Sequence, residues 1–257
     1  CRGSGCKQDD NGCPVSGKPL FWKSSCVGFN LQRNGSERLP LADARLAILK
    51  SFGAWSELPC PGGGNASLSF APGEDVACKQ SGYNAGGTNL NVVLFQDNDW
   101  KYRGIDGTLA KTSVTFNEET GEIYDADIEI NSAFNEITVS DDKIVYDLEA
   151  IITHEVGHYI GLAHSVEENS IMAEALCEGG DRCARGKVAA RRLAQDDLDA
   201  VCALYPSWAT YGDDAPQGCA AAARRRGPDG EEWCVAAALS VIIGAVGALR
   251  RRRGARW

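Results

Sequence analysis

His154-Glu155-Val156-Gly157-His158-Tyr159-Ile160-Gly161-Leu162-Ala163-His164-Ser165 has the form H-E-x-x-H-x-x-G-x-x-H. On a helix, residues four apart share a face, so the imidazoles of His154 and His158 can reach one metal ion together. Glu155 lies one position round from His154, close enough to face a water on that ion without being a ligand. Gly161 can take a backbone conformation closed to other residues, so it can end the helix and return His164 as a third ligand. Three neutral nitrogen ligands with an open fourth position make a catalytic zinc site, whereas a structural site is closed by a fourth protein ligand. The chain has three histidines, and all of them fall in this window of 11 residues. The competing reading is a helix with ordinary surface or core histidines. A bare H-E-x-x-H leaves that reading real weight; the added glycine and third histidine remove most of it.

The fuller pattern H-E-x-G-H-x-x-G-L-x-H-S resembles the zinc-binding consensus of the metzincin metallopeptidases, and Ser165 is typical of their matrixin branch. Metzincins also carry a methionine in a tight turn beneath the metal. Ser170-Ile171-Met172 stands at a suitable distance, and Met172 is the single methionine of the chain. Some metzincins place a tyrosine ligand two residues later; Glu174 stands there, so none is assigned. The resemblance implies an α+β, zincin-like domain: a twisted, mixed five-stranded sheet with an antiparallel edge strand, an active-site helix and a C-terminal helix. It also implies a zinc endopeptidase acting on proteins or peptides, with one catalytic Zn2+ on His154, His158 and His164. Such an ion brings the pKa of its bound water near neutrality and polarises a carbonyl. Glu155 is the expected general base, passing the proton on to the leaving amine. Vertebrate-type matrixins hold a second, structural zinc through histidines near the edge strand; with no spare histidine here, that ion is expected to be absent. The alternative function is a pseudopeptidase, a zinc-containing surface binding module without turnover.

Composition agrees with a globular protein. The 257 residues, 44% hydrophobic and 24% charged, suffice for one sizeable core plus tails. From Gly218 onward eight arginines oppose Asp229, Glu231 and Glu232, so that end is at +5 and the rest of the −9 chain is at −14. An acidic body argues against nucleic acid as a partner. Eight of the 11 cysteines (Cys6, Cys13, Cys26, Cys60, Cys78, Cys177, Cys183 and Cys202) lie in the body, an even set that predicts disulfides and an exported protein. The predicted pairings are Cys6–Cys13, Cys60–Cys78, Cys177–Cys183 and Cys26–Cys202.

Residues 1–20 read as an irregular, cysteine-containing lead-in. The opening cysteine marks either a processed, lipid-bearing residue or an arbitrary boundary. A first strand is expected within Phe21–Leu31 and a helix over Leu41–Leu58, with an apolar stripe of Leu41, Ala44, Ile48, Phe52 and Trp55. Leu68–Phe70 and Asn89–Phe95 are the next strands, the latter a buried apolar run. Asp97, Asn98, Asp99, Asp106 and Gly107 form an oxygen-rich loop, a possible Ca2+ site that more often is merely solvated. Thr108–Asn117 and Ile123–Asn131 read as two strands about a Gly121 turn. By resemblance the first is the edge strand over the cleft, and Thr108, Leu109, Ala110 and Lys111 are the candidate substrate-binding residues. An extended peptide can pair with such an edge because its backbone groups lack a strand partner. Asp147 is placed to cap the active-site helix, expected over Leu148–Gly161. Residues 173–193 form a cysteine-bearing loop that, by resemblance, shapes the pocket after the scissile bond. Gln195–Leu204 resembles the closing helix, so the catalytic domain spans residues 21–206.

Residues 207–232 read as a linker and 233–257 as an anchor or sorting tail. Val235–Leu249 carries no charge and precedes Arg250–Arg253. As a helix it spans about 22 Å, short of a hydrocarbon core of about 30 Å. Gly218-Cys219, the apolar stretch and the terminal arginines together are similar to bacterial sorting tails of the Myxo-CTERM kind. A plain membrane anchor or a peripheral helix are the other readings. The expectation is an exported monomer held at the cell surface through this tail, or released extracellularly.

Overall fold

A computed structural model describes residues 17–86, 89–102, 108–142, 144–174 and 191–209. In chain order the elements are β1 (Cys26–Leu31), α1 (Leu41–Ala54), β2 (Ser69–Pro72), β3 (Val92–Phe95), β4 (Ala110–Phe116), β5 (Ile123–Ile130), β6 (Ile137–Thr138), β7 (Tyr146–Asp147), α2 (Leu148–Tyr159) and α3 (Gln195–Leu204). Five strands form one sheet in the order β2-β1-β3-β5-β4. β1 runs parallel to β2 and β3, and β3 parallel to β5. β4 pairs antiparallel with β5, Ala110 facing Ile130 and Thr112 facing Ile128. This is the mixed α+β sheet with an antiparallel edge that the resemblance implies. β6 and β7 make a separate two-stranded parallel sheet that sequence reading did not anticipate. Two-residue strands are too short for a periodic signal.

Both long helices lie on one face of the sheet. α1 buries Ala44, Ile48 and Phe52 of the expected stripe, with Trp55 just past its end, and adds Ala47 and Ser51. The small residues Ala47 and Ser51 let α2 come close: Ser51 Oγ lies 2.9 Å from Glu149 O. Leu41, the remaining residue of the expected stripe, is 47% exposed. The helix stops at Ala54 and Trp55 is its C-cap. Trp55 is fully buried, its indole N–H donating to Thr153 O of α2 at 2.8 Å. Phe52 stacks on Phe29 of β1 with centroids 3.7 Å apart and meets Tyr159 of α2 edge-on. Burying Phe29, Phe52, Trp55 and Tyr159 stabilises this layer by roughly 2 kcal/mol or more for each ring.

The opposite face of the sheet is covered too. Val92 and Leu94 of β3 pack there with Val76 and Cys78, while Val93 and Phe95 face the main core. Burial on both faces is why residues 92–95 form an unbroken apolar run. Asp97 braces this side. Its carboxylate accepts from Ser36 Oγ at 2.7 Å, Glu37 N at 2.7 Å and Ser132 Oγ. Burial raises its pKa, but Ser132, Ser36, Glu37 and Arg38 together hold it below the ordinary value. Asp97 thus works as a loop anchor; Asp106 and Gly107 lie outside the described residues.

The disulfide expectations need correction. Cys60 is bonded to Cys202, which excludes both Cys60–Cys78 and Cys26–Cys202. The loop after α1 lies against the end of α3: Ser67 N donates to Tyr205 O at 3.0 Å and Ser67 Oγ to Pro206 O at 2.8 Å. That seam sets the two cysteine Cα atoms 5.6 Å apart. Cys26 and Cys78 are also disulfide-bonded. Cys6, Cys13, Cys177 and Cys183 lie outside the described residues, as does the tail from residue 210 onward. No helix among the described residues is long and apolar enough to cross a membrane.

Candidate metal centre

Helix α2 is held at both ends by devices readable from its sequence. At the start, Asp147 Oδ1 accepts the N–H of Ala150 at 2.9 Å, the expected N-cap. Arg191 braces this cap, its Nε 3.0 Å from both carboxylate oxygens of Asp147. At the end, Ile160 is the C-cap and Gly161 follows with φ +102°. Gly161 N donates to His158 O at 3.0 Å and Leu162 N to Gly157 O at 2.9 Å, the two bonds of a Schellman turn. The regular helix therefore ends at Tyr159, two residues before the expected Gly161. A Cβ at Gly161 would fall 2.1 Å from Leu20 O. The position thus demands glycine twice, for its φ and for the N-terminal segment pressed against it.

The turn brings His164 back to the helix. His154, His158 and His164 each offer a nitrogen within 4.8 Å of the others, the one such trio of His, Cys, Asp or Glu among the described residues. Ring centroids are 4.7 Å apart for His154–His158, 5.3 Å for His154–His164 and 4.8 Å for His158–His164. His154 Nδ1 stands 2.6 Å from Ile171 O and His158 Nδ1 2.9 Å from Leu162 O. A carbonyl only accepts, so each Nδ1 carries a proton, and in the neutral ring Nε2 then presents a lone pair. Those two Nε2 atoms are 3.1 Å apart. Two facing lone pairs repel one another unless a shared proton or a metal ion lies between them. Zinc–nitrogen bonds of about 2.0–2.1 Å accommodate that separation. Burial, and then the neighbouring imidazoles, lower the His154 pKa far below its ordinary value and bring His164 to about 3. These two rings are thus neutral in the metal-free chain, as ligation requires. The donor set fits zinc.

The turn beneath the trio is held from α3. Asp197 is 1% exposed and accepts from Ile171 N at 3.0 Å and Ala194 N at 2.7 Å, and Ser170 Oγ donates to it. It thereby fixes the carbonyl that orients His154, the supporting contact a metal-bound histidine needs. Met172 is buried directly under the helix: a Cβ on Gly157 would lie 2.1 Å from its Sδ. The family resemblance points to Met172 and helix α3 but not to Asp197. Its only local signal was a pair of acids in the first turn of a helix.

Glu155 is 1% exposed and lies beside the trio. Burial raises its pKa, against the pull of His158, Thr112 and Lys111. Thr112 of β4 donates its hydroxyl to Glu155 Oε2, and nothing in the local sequence singles this threonine out. The four candidate substrate-binding residues sit at the start of the same strand. Leu109 and Ala110 are buried. The Thr108 carbonyl accepts from Asn131 and Asn135, and that of Leu109 from Asn131 N. Lys111 turns to the outer face, its ammonium 4.4 Å above the Tyr102 ring. What β4 offers a ligand is therefore backbone, since β5 pairs with it on one side and it ends the sheet on the other.

Residues 21–206 match the protein-family model described as Matrixin. Curated relatives agree. Matrix metalloproteinase-C of Caenorhabditis elegans is 28% identical over 196 residues, covering 74% of this chain and 30% of that protein. Metalloendoproteinase 5-MMP of Arabidopsis thaliana is 36% identical over 107 residues, covering 40% of this chain and 27% of that protein. Metalloendoproteinase 1 of Glycine max is 34% identical over 118 residues, covering 46% and 36% respectively. The chain thus matches less than half the length of each of these three relatives.

Proposed function

The chain belongs to the matrixin family, and we propose that it works as a zinc-dependent endopeptidase, exported and active on extracellular proteins. The observation that carries this reading is the convergence of two Nε2 lone pairs and a third imidazole beside a buried carboxylate. His154, His158 and His164 would hold the ion. Zinc, when bound, supplies a Lewis acid and a water of near-neutral pKa.

Glu155 takes the proton of the attacking water and later gives it to the leaving amine. Its burial, which raises the pKa, makes it a stronger base than an exposed carboxylate. The peptide lies extended along the open edge of β4, pairing by backbone as one further strand. Asp197 and Met172 keep the turn and the first imidazole in register. Residues 207–257 carry the protein to the cell surface, in the manner of the Myxo-CTERM-like tails that their Gly-Cys, apolar and arginine segments resemble.

The test is cleavage of a proteome-derived peptide mixture by the full chain, with and without a chelator. Cleavage abolished by the chelator and restored by zinc is the expected result. Cleavage indifferent to the chelator refutes the proposal, and stoichiometric zinc without any cleavage identifies the pseudopeptidase instead.

A further inference from the structure

We propose that Thr112 is a positioning residue for Glu155, assigning its two carboxylate oxygens to different tasks. This deepens the peptidase reading and rests on it. Thr112 stands in the middle of β4, opposite Ile128, which is fully buried. Its Oγ1 donates to Glu155 Oε2 and lies 3.1 Å from Glu155 O. The hydroxyl thus touches both the side chain and the backbone of the proposed base, and ties the edge strand to α2.

A carboxylate accepts a proton at either oxygen, and an unheld one rotates about its last torsion. With Oε2 occupied by the Thr112 proton, Oε1 is left to take the proton from water and to deliver it to the amine. The Thr112 hydroxyl keeps its own proton throughout. Carboxylate and carboxylic acid both accept at Oε2, so the contact survives both halves of the transfer. Threonine suits the place: branching at Cβ stiffens its side chain and favours a strand. The link has a second consequence. The strand that a peptide would pair with also holds the base, so seating the substrate and aiming the carboxylate become one event.

The test compares Thr112→Val, which keeps the shape and removes the donor, with Thr112→Ser, which keeps the donor. Both are made in the zinc-loaded full chain. Hydrogen bonds to charged groups set the scale: Thr112→Val is expected to lower kcat roughly 10- to 100-fold with little change in KM and full zinc content. Thr112→Ser is expected to recover most of the loss. Infrared difference spectra, with Glu155→Gln used to assign the band, should show the Glu155 carboxylate stretch shifted in the valine variant and near its parental position in the serine variant. A valine variant with parental kcat and an unshifted band overturns the proposal. So does a serine variant as slow as the valine one. The infrared readout needs no turnover. A parent that cleaves nothing refutes the peptidase reading and the catalytic part of this proposal, while the band still decides whether Thr112 holds Glu155.

Discussion

Strand β5 buries its two faces in opposite ways. Toward α2 it presents Ala126, Ile128 and Ile130, all fully buried beneath the helix that bears the histidines. Toward the outside it presents Asp125, Asp127 and Glu129, which are 2%, 1% and 0% exposed. Both sides of the sheet therefore hold buried ionisable groups, but among the described residues only the helix side gathers three imidazole nitrogens within 4.8 Å of one another. On the outer side, Asp127 accepts from Val92 N at 2.9 Å and Gly82 N at 2.8 Å. Glu129 accepts from Ser81, Gln96 and Tyr102 and pairs with Lys101 at 3.1 Å. Asp127 and Glu129 are thus answered from within the protein, whereas Asp125 keeps a buried Oδ1 without a hydrogen bond. On the helix side, the lone pairs of His154 and His158 point at each other. Polar burial alone does not mark a site; polar burial whose geometry calls for an outside ion does.

The sharpest way to break this contrast is to remove one acid from each side. Glu155→Gln should retain zinc and lose about 10²- to 10⁴-fold in turnover, measured as peptide cleavage per zinc-loaded molecule. Glu129→Gln should keep parental turnover per folded molecule while costing about 1–3 kcal/mol of stability in urea unfolding. If Glu129→Gln abolished turnover in the folded protein, the two faces would not be functionally distinct.

A smaller effect probes how tightly the helix side is built. A Cβ at position 157 would meet Met172 Sδ at 2.1 Å and Trp55 Cζ2 at 3.2 Å, and both side chains are buried. Gly157→Ala should therefore cost about 1–3 kcal/mol through overpacking and weaken zinc binding, because the displaced turn carries the carbonyl that orients His154. Calorimetry and competitive zinc titration would show both effects together. A variant of parental stability and affinity would mean that the methionine turn yields freely.

A separate effect is expected from pH on the outer side. Burial and Asp127 raise the pKa of Asp125, and burial likewise raises that of Asp127. A raised carboxyl keeps its proton in the folded chain at a pH where the unfolded chain has released it. The stability tied to that proton is complete below the ordinary value of 3.8 and is lost as pH rises through the raised folded value. Asp125→Asn should flatten this decline in urea midpoints measured across the range. A variant with the parental slope would place the titration elsewhere.

What could be read in the sequence was what lies close together along the chain. Local sequence located the helix with His154 and His158, the Asp147 cap and the stop at Gly161, and the family resemblance located the closing helix Gln195–Leu204. Features made by distant segments meeting were not legible. Cys60 finds Cys202 because the loop after α1 lies on the end of α3, at a sequence separation of 142. Thr112 and Asp197 act across 43 and 26 residues respectively. The acids of β5 alternate as a solvent-facing set would; nothing local announced that Ser81, Gly82, Gln96 and Tyr102 would meet them. Leu41 shows the same limit in reverse, an apolar residue in phase with the stripe yet exposed.

The central claim is that three imidazoles share one ion, and zinc X-ray absorption of the full chain loaded with one equivalent of zinc tests it most directly. The account predicts three imidazole nitrogens in the first shell at about 2.0–2.1 Å, joined by oxygen from solvent. A first shell containing sulfur, or fewer than three imidazoles, would contradict it.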